Sequence, residues 1–147
     1  MHMKTATAYQ RESKIFLVPE ARTTAGVRIS ATPVEVIDHA TGIDSTDLGK
    51  VVISVLNKFQ DSVPHPTDWK SITIPFLKPA GVKSWREFVK SAKSVGIEFE
   101  KDKIRLIPMK NLGAKEGFAP LTEKSVTVQL SADEIGKGLL ERLDACE

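Results

Sequence analysis

The sequence has almost no cysteine and no long apolar run. Its one cysteine, Cys146, has no partner within the chain for a disulfide bond, which is typical of a protein from a reducing compartment. No stretch approaches the roughly 18 consecutive apolar residues of a membrane span. Residues 1–10 lack the apolar core of a secretory signal. These absences predict a cytoplasmic protein with no membrane segment.

An excess of charge of one sign is also missing. The chain of 147 residues has 21 Lys and Arg against 19 Asp and Glu, which gives a net charge of +2. This balance excludes both a dedicated polybasic nucleic-acid binder and an acidic mimic of DNA. With 41% apolar and 27% charged residues, the composition is globular, and a chain of this length can fold without a disulfide or a metal.

The usual signatures of an enzyme are not found. Residues 113–117 are rich in glycine but match no phosphate-binding loop. His2, His39 and His65 have no His or Cys at ligand spacing, which favours surface loop positions over a metal site. Cys146 falls on the apolar face of a predicted helix, which favours packing over nucleophilic chemistry. The sequence therefore predicts no catalytic residue, no metal, no cofactor and no enzymatic activity.

Three stretches have the apolar spacing of amphipathic helices. The first runs from Ser45, the expected N-cap, to Phe59. The second opens with a capping box of Ser84 and Glu87 and is expected to end at Gly96. The third follows residue 130 at once. We therefore expect three helices with one buried face each.

The third predicted helix begins much as the first one does. Residues 131–134 form a second capping box, and Ile135, Leu139 and Leu143 share an apolar face. Each of these two helices has a glycine in its first turns, Gly49 and Gly136, where glycine costs about 1 kcal/mol relative to alanine. We expect each glycine to admit a closely packed neighbouring backbone.

Alternation of apolar and polar residues predicts the strands. These are residues 14–19, 27–30 and 126–130, with shorter extended pieces at 34–37 and 71–77. Residues 97–106 predict a hairpin that turns at Lys101 and Asp102. Its expected register pairs Phe99 with Ile104, Glu100 with Lys103, and Glu98 with Arg105. Residues 110–124 predict a long loop, which in a small domain is often functional.

Together these elements predict the fold class. We expect one α+β domain over residues 14–147, with a mainly antiparallel sheet of about five strands and three helices packed on it. Residues 1–13 are expected to be a flexible N-terminus, in which Met1 and His2 are typical of a cloning remnant.

A polar surface is expected on the hairpin and the long loop. Exposure and polarity are the basis of this prediction, and a sheet face that merely neutralises its own charges is the alternative. The candidate partner-binding residues are Glu98, Glu100, Asp102, Lys103, Arg105, Lys110, Asn111 and Lys115.

The order of several short motifs along the chain is informative. They are Leu48-Gly49, Leu77-Lys78, Gly81-Val82-Lys83-Ser84-Trp85 with Phe88, Glu134-Ile135-Gly136, and Leu143-Asp144-Ala145-Cys146-Glu147. In this order they resemble the immunity proteins of bacterial contact-dependent growth inhibition (CDI) systems, of the CdiI type. The resemblance extends over about residues 14–147 and rests mostly on structural motifs.

The resemblance implies a partner and a way of working. It implies a non-catalytic cytoplasmic protein that forms a heterodimer with the cognate CdiA-type C-terminal toxin domain, commonly a nuclease, and neutralises it. In related pairs a toxin hairpin adds to the sheet of the immunity protein, an arrangement in which main-chain hydrogen bonds supply affinity. Many nuclease inhibitors are acidic, whereas this chain has a net charge of +2. That departure favours shape and strand pairing over electrostatic blocking.

Two other functions stay open at this point. A pI near 8.7, together with Lys83, Lys90 and Lys93, is compatible with a small non-enzymatic nucleic-acid-associated module, although no direct nucleic-acid contact is expected of an immunity protein. A hydrolase has only His39, His65 and scattered acidic residues in its favour.

Overall fold

A curled sheet of nine strands forms the centre of the part of the chain that the structure, a computed structural model, describes: residues 3–38, 42–72 and 74–147. The strands are β1 (Lys4–Arg11), β2 (Lys14–Thr23), β3 (Arg28–Ser30), β4 (Glu35–Asp38), β5 (Gln60–Val63), β6 (Lys93–Glu100), β7 (Lys103–Asn111), β8 (Phe118–Pro120) and β9 (Val126–Gln129). The helices are α1 (Ser45–Leu56), α2 (Ile74–Ala80), α3 (Trp85–Lys90) and α4 (Ala132–Ala145), with short 3₁₀ turns at Trp69–Ile72 and Thr122–Lys124. Within these ranges, every helix is too short or too polar to cross a bilayer.

Towards each edge of the sheet, one long strand pairs with two short strands. Its main order is β3-β2-β1-β6-β7-β8. The long strand β2 pairs with β4 along residues 14–17 and with β3 along residues 20–22. In the same way β7 pairs with β9 along residues 103–106 and with β8 along residues 109–111. All of these pairs are antiparallel, and β5 alone among the described strands runs parallel to its neighbour, β2.

The predicted α+β class and the mainly antiparallel sheet are confirmed, but the predicted counts are wrong. The described residues contain nine strands and four helices instead of about five and three. The excess comes from β5 and β8, from β4, which was expected only as a short extended piece at 34–37, and from the unexpected β1 and α2. Strands of three or four residues, such as β4, β5 and β8, carry too few side chains for a reliable alternation.

The prediction of a flexible N-terminal segment is wrong for Lys4–Arg11. These residues form β1, which pairs with β2 on one side and β6 on the other. Ala6 and Ala8 point into the core and are 1% and 0% exposed. Alanine is a weak strand former, so this alternation gives little signal in the sequence. Residues 1 and 2 lie outside the described residues.

Helices α1 and α4 cover one face of the sheet and touch each other at two glycines. A Cβ on Gly49 would collide with the backbone of Ala132, and a Cβ on Gly136 would collide with the backbone of Ser45. The prediction that each glycine admits a neighbouring backbone is confirmed. The buried residues of this layer are Leu48, Val52, Val55, Leu56, Ile135, Leu139 and Leu143, packed on Ala6, Ala8, Ile15, Leu17, Val95, Ile97, Ile104 and Leu106.

The start of α1 differs from the prediction in one detail. The N-cap is Asp44, whose Oδ1 accepts hydrogen bonds from the backbone N–H groups of Thr46 (2.7 Å) and Asp47 (3.1 Å). The Ser45 hydroxyl instead donates to Asp133 of α4, at 3.2 Å. The predicted capping box at the start of α4 is absent, because the side chain of its N-cap, Ser131, makes no capping hydrogen bond.

Two predictions between residues 71 and 96 are wrong. The expected edge strand at 71–77 is replaced by a 3₁₀ turn and α2, since Pro75 lies in the first turn of α2, where a missing N–H costs nothing. The second predicted helix, α3, ends at Lys90, and Gly96 is a residue of β6 opposite Ile107. At its start the bond from the Glu87 N–H to Ser84 Oγ forms as predicted, at 3.2 Å.

Helices α2 and α3 enclose a second, smaller core on the opposite face of the sheet. Phe88 of α3 lies between Tyr9 of β1 and Phe16 of β2, with ring centroids 5.5 and 5.4 Å apart, and its ring stacks on Trp85 at 5.1 Å. Val82 and Val89 complete the contact. This core covers the half of that sheet face that carries Tyr9 and Phe16, and no helix of the described residues packs on the other half.

Tyr9 makes this core sensitive to alkali. Burial, together with the charge of Glu20, raises the pKa of Tyr9 above its ordinary value of 10.0. An unfolded chain therefore loses the phenol proton above pH 10 while the folded chain keeps it. The free energy of unfolding should then fall by about 1.4 kcal/mol per pH unit above pH 10.

Replacing Tyr9 with phenylalanine should remove this part of the pH dependence. Denaturant unfolding of both proteins between pH 8 and 12 measures it, and because Tyr9 is the only tyrosine, tyrosinate absorbance follows the same group directly. Parallel stability curves for the two proteins above pH 10 would contradict the prediction.

The hairpin agrees with the sequence in every predicted pair. Phe99 lies opposite Ile104, Glu100 opposite Lys103, and Glu98 opposite Arg105. Residues 110–124, predicted as a loop, are more ordered than expected. They contain the end of β7, the strand β8 and a 3₁₀ turn at Thr122–Lys124. The strand at β9 and the apolar face of α4 are confirmed.

Candidate partner-binding surface

Half of one sheet face carries no helix. The alternation of β6 and β7 directs Ile97 and Leu106 into the core beneath α1 and α4, so Glu98 and Arg105 point to the other side. On that side α2 and α3 cover the half that carries Tyr9 and Phe16. We call the uncovered half the open face. Its residues are Thr7, Glu20, Arg28, Gly96, Glu98, Glu100, Lys103, Arg105, Ile107 and Met109.

The open face brings together the predicted residues of the hairpin. Glu98 and Arg105 form one cross-strand pair, and Glu100 and Lys103 form the next pair towards the turn. Asp102 lies beside them in the two-residue turn, where its φ of 64° and that of Lys101, 54°, are the positive values that a type I′ turn requires. Five of the eight predicted residues therefore share one end of the sheet.

The charges of this surface are partly paired within the chain. Glu98 approaches Arg105 at 3.6 Å and Arg28 at 3.9 Å. Arg28 belongs to β3, which is three places from β6 in the sheet order, so this approach reflects the curl of the sheet. The Glu98 side chain is 22% exposed and the two arginines 41% and 49%, so these pairs contribute little stability by themselves.

A cavity of about 230 Å³ opens between β2 and β6 on the same face. Thr7 of β1 is one of its lining residues and pairs with Val18 on β2 and Gly96 on β6. The Thr7 hydroxyl donates to Glu20 Oε2 at 2.9 Å. The other lining side chains include Arg28, Glu98, Ile107 and Met109. The surface is therefore a hollow lined by two carboxylates, one arginine and apolar side chains rather than a flat sheet.

The three remaining predicted residues lie at the other end of β7. Arg105 and Asn111 are six positions apart along the strand, a separation of about 20 Å at the rise of a β-strand. The Asn111 side chain donates to the carbonyl oxygens of Val89 (2.7 Å) and Ala92 (2.9 Å), so its amide is engaged within the chain. Lys110 and Lys115 are exposed but are separate from the open face.

Sequence reasoning missed the other side of this surface. Thr7 lies on β1, which was expected to be flexible, and Glu20 lies beyond Pro19, where the predicted strand ended. Arg28 was placed on a strand, but nothing in the sequence links β3 to β6. The alternation of Thr5 and Thr7 with alanines is the weak signal by which β1 could have been predicted.

His65 and Cys146 belong to no cluster of metal ligands in the part of the chain that the structure describes. His65 Nδ1 lies 3.0 Å from Thr23 Oγ1, and its ring packs edge-on against Trp69. His2 and His39 lie outside the described residues. Across residues 3–38, 42–72 and 74–147, no three His, Cys, Asp or Glu side chains are grouped to hold a metal ion. Cys146 packs against the α1–α4 core, as predicted, and its thiol donates to the Ser94 carbonyl at 3.2 Å.

Solved structures with this fold are known. A protein of unknown function from Neisseria meningitidis superposes with a TM-score of 0.81 at 19% identity, covering 99% of this chain and 96% of its own. A chain of a CdiA-CT/CdiI toxin and immunity complex from Yersinia pseudotuberculosis superposes with a TM-score of 0.80 at 16% identity, covering 100% and 99%. No curated protein has a significantly matching sequence.

The sequence also matches a family model over nearly its whole length. That model describes the CDI immunity proteins, CdiI, and the match extends over residues 4–146, from the first strand of the sheet to the end of the last helix. On this match, the chain belongs to the CdiI family of CDI immunity proteins.

Proposed function

We propose that this chain binds the C-terminal toxin domain of its cognate CdiA protein in a one-to-one complex and neutralises it in the cytoplasm without catalysis. The family match supports this function, and the likeness to a chain from a toxin and immunity complex agrees with it. The toxin is proposed to be a nuclease, the class that the resemblance of the motifs implies.

The open face is the proposed contact surface, and the observation that carries this choice is its lack of a helical cover. Its charged side chains Glu100, Lys103 and Arg105 are at least partly exposed. The adjoining strand β9 pairs with β7 through Thr127 and Gln129, opposite Arg105 and Lys103. Among the described strands β9 has no other neighbour, so a toxin strand added there would extend the sheet beside the open face.

Charge reversal on the open face should weaken the complex. The double variant Glu100→Lys with Lys103→Glu reverses two charges that face each other across the hairpin, and it leaves Glu98 beside both of its arginines, Arg28 and Arg105. Titration calorimetry with the purified toxin domain should give a dissociation constant at least tenfold higher for this variant. The matched control is Lys90→Glu, a charge reversal at an exposed position of α3.

Co-expression of the toxin domain tests neutralisation and the class of toxin together. Cells that carry the wild-type chain or Lys90→Glu should grow, whereas cells that carry the double variant should arrest and show degraded RNA or DNA. Unchanged affinity of the double variant would exclude the open face as the contact surface. Growth arrest with intact nucleic acids would exclude a nuclease.

A further inference from the structure

The cavity of the open face has the size of a site for one side chain. At about 230 Å³ it is smaller than the roughly 300–1,000 Å³ of typical small-molecule sites. Part of its floor is the backbone of Gly96, where a Cβ would approach Met109 Cε to 2.9 Å. The absence of a side chain at residue 96 therefore keeps the hollow open between β1 and β7.

Glu20 in this cavity lacks a positively charged partner. Its carboxylate accepts a hydrogen bond from the Thr7 hydroxyl, and no lysine or arginine of the described residues forms an ion pair with it. Glu98, by contrast, approaches both Arg28 and Arg105. Glu20 is half-buried, so it has lost part of its hydration without gaining a counter-charge.

A second polar group nearby also lacks a partner. Thr5 is 1% exposed, and its Oγ1 has no hydrogen-bond partner in the part of the chain described. Thr5 lies on β1 directly opposite Glu98, and it lines an adjoining hollow of about 200 Å³ that shares Arg28 with the first. Thr5 thus adds a hydroxyl without a partner beside the cavity that holds Glu20.

The remaining wall decides what kind of donor fits. Ile107 and Met109 give the cavity an apolar side opposite its acidic one. An anionic group would meet two carboxylates, Glu20 and Glu98, against one arginine, Arg28, which already approaches Glu98. A purely apolar group would leave Glu20 without a counter-charge. A long side chain with an aliphatic stem and a cationic head satisfies both walls, as lysine and arginine do elsewhere in proteins.

We infer that this cavity receives a lysine or arginine side chain of the bound toxin domain, with its cationic head on Glu20 and its stem against Ile107 and Met109. This inference rests on the proposed function and adds the chemistry of the partner at one position. It also agrees with the net charge of +2, because recognition by one deep contact needs no strongly acidic surface.

The test is the affinity of the Glu20→Gln variant for the purified toxin domain. Glutamine keeps the shape and can still accept from Thr7, so the change removes mainly the charge. We expect the dissociation constant to rise at least tenfold, chiefly through faster dissociation, and to be partly restored in Glu20→Asp. The matched control Glu116→Gln, at an exposed position of the loop between β7 and β8, should bind like the wild type.

A double-mutant cycle identifies the partner residue. Lysines and arginines of the toxin domain are changed singly to methionine, and one of them should lose its effect when Glu20 is already glutamine. Thr7→Val, which removes the hydroxyl on Glu20, gives a second variant should Glu20→Gln unfold; we expect a smaller loss in the same direction.

The outcomes separate this inference from the proposed function. Affinity of a folded Glu20→Gln within twofold of the wild type would overturn the inference, as would additive effects for every toxin variant. If the inference is overturned in this way but the open-face double variant still weakens binding, the proposed function is kept without the inference. Failure of the wild-type chain to bind the toxin domain would overturn both.

Discussion

Replacing Gly136 with alanine is expected to lower the free energy of unfolding by about 3 kcal/mol or more, the upper end of what overpacking costs. The new Cβ would overlap the backbone of Ser45, which cannot move aside as a side chain tip can. Gly49→Ala should have a similar effect, since its Cβ would meet the backbone of Ala132. Urea unfolding measures both changes.

Gly138→Ala is the matched control for this prediction. It lies in the same helix, and its Cβ would meet the tip of the Leu106 side chain, Cδ1, at 2.8 Å. That tip can shift, and alanine gains about 1 kcal/mol of helix propensity over glycine, so the net change should stay within about 1 kcal/mol. Equal losses at positions 136 and 138 would show that backbone contact between α1 and α4 is not the cause.

The second large effect is expected at Phe88, where alanine should cost about 3–5 kcal/mol. The Phe88 side chain is fully buried and is the ring that joins α3 to Tyr9 and Phe16 of the sheet. Its removal leaves a cavity that the short helix α3 cannot fill alone. Denaturant unfolding measures the loss.

Trp69→Ala is the control for Phe88→Ala. Trp69 is also aromatic but is 49% exposed, so its removal should change the free energy of unfolding by no more than about 0.5 kcal/mol. A loss at Phe88 as small as that at Trp69 would mean that the second core adds little to stability.

Local features of the fold were predictable from the sequence. The register of the β6–β7 hairpin follows from a two-residue turn and from three matched pairs close together in the chain. The contacts at Gly49 and Gly136 could be predicted because glycine is unfavourable inside a helix. It is expected there where a neighbouring backbone leaves no room for a side chain. Both inferences use information within a few residues.

Features that depend on distant segments were not predictable in this way. The strand β1 is held by neighbours on both sides, although its own side chains Ala6 and Ala8 carry little hydrophobic signal. Val95 fits both the 3.6-residue repeat of the preceding helix and the two-residue repeat of a strand. Helix α3 was therefore expected to continue into residues that form β6.

The candidate surface shows the same division. Glu98 and Arg105 were identified because they oppose each other within one hairpin. Glu20 and Arg28 come from strands some 70 residues earlier and join the hairpin only because the sheet curls. The curvature of the sheet cannot be predicted from a single sequence, so the side of the surface that carries Glu20 and Arg28 was missed.

In β6 and β7, side chains that pack in the core alternate with side chains that face outward. Ile97 and Leu106 serve the interior beneath α1 and α4, while their immediate neighbours Glu98 and Arg105 face outward. Substitutions at every second position can therefore change the proposed contact surface without touching the residues that keep the chain folded. Under the proposed function, an immunity protein with this alternation can adapt to changes in its toxin by substituting one outward side chain at a time.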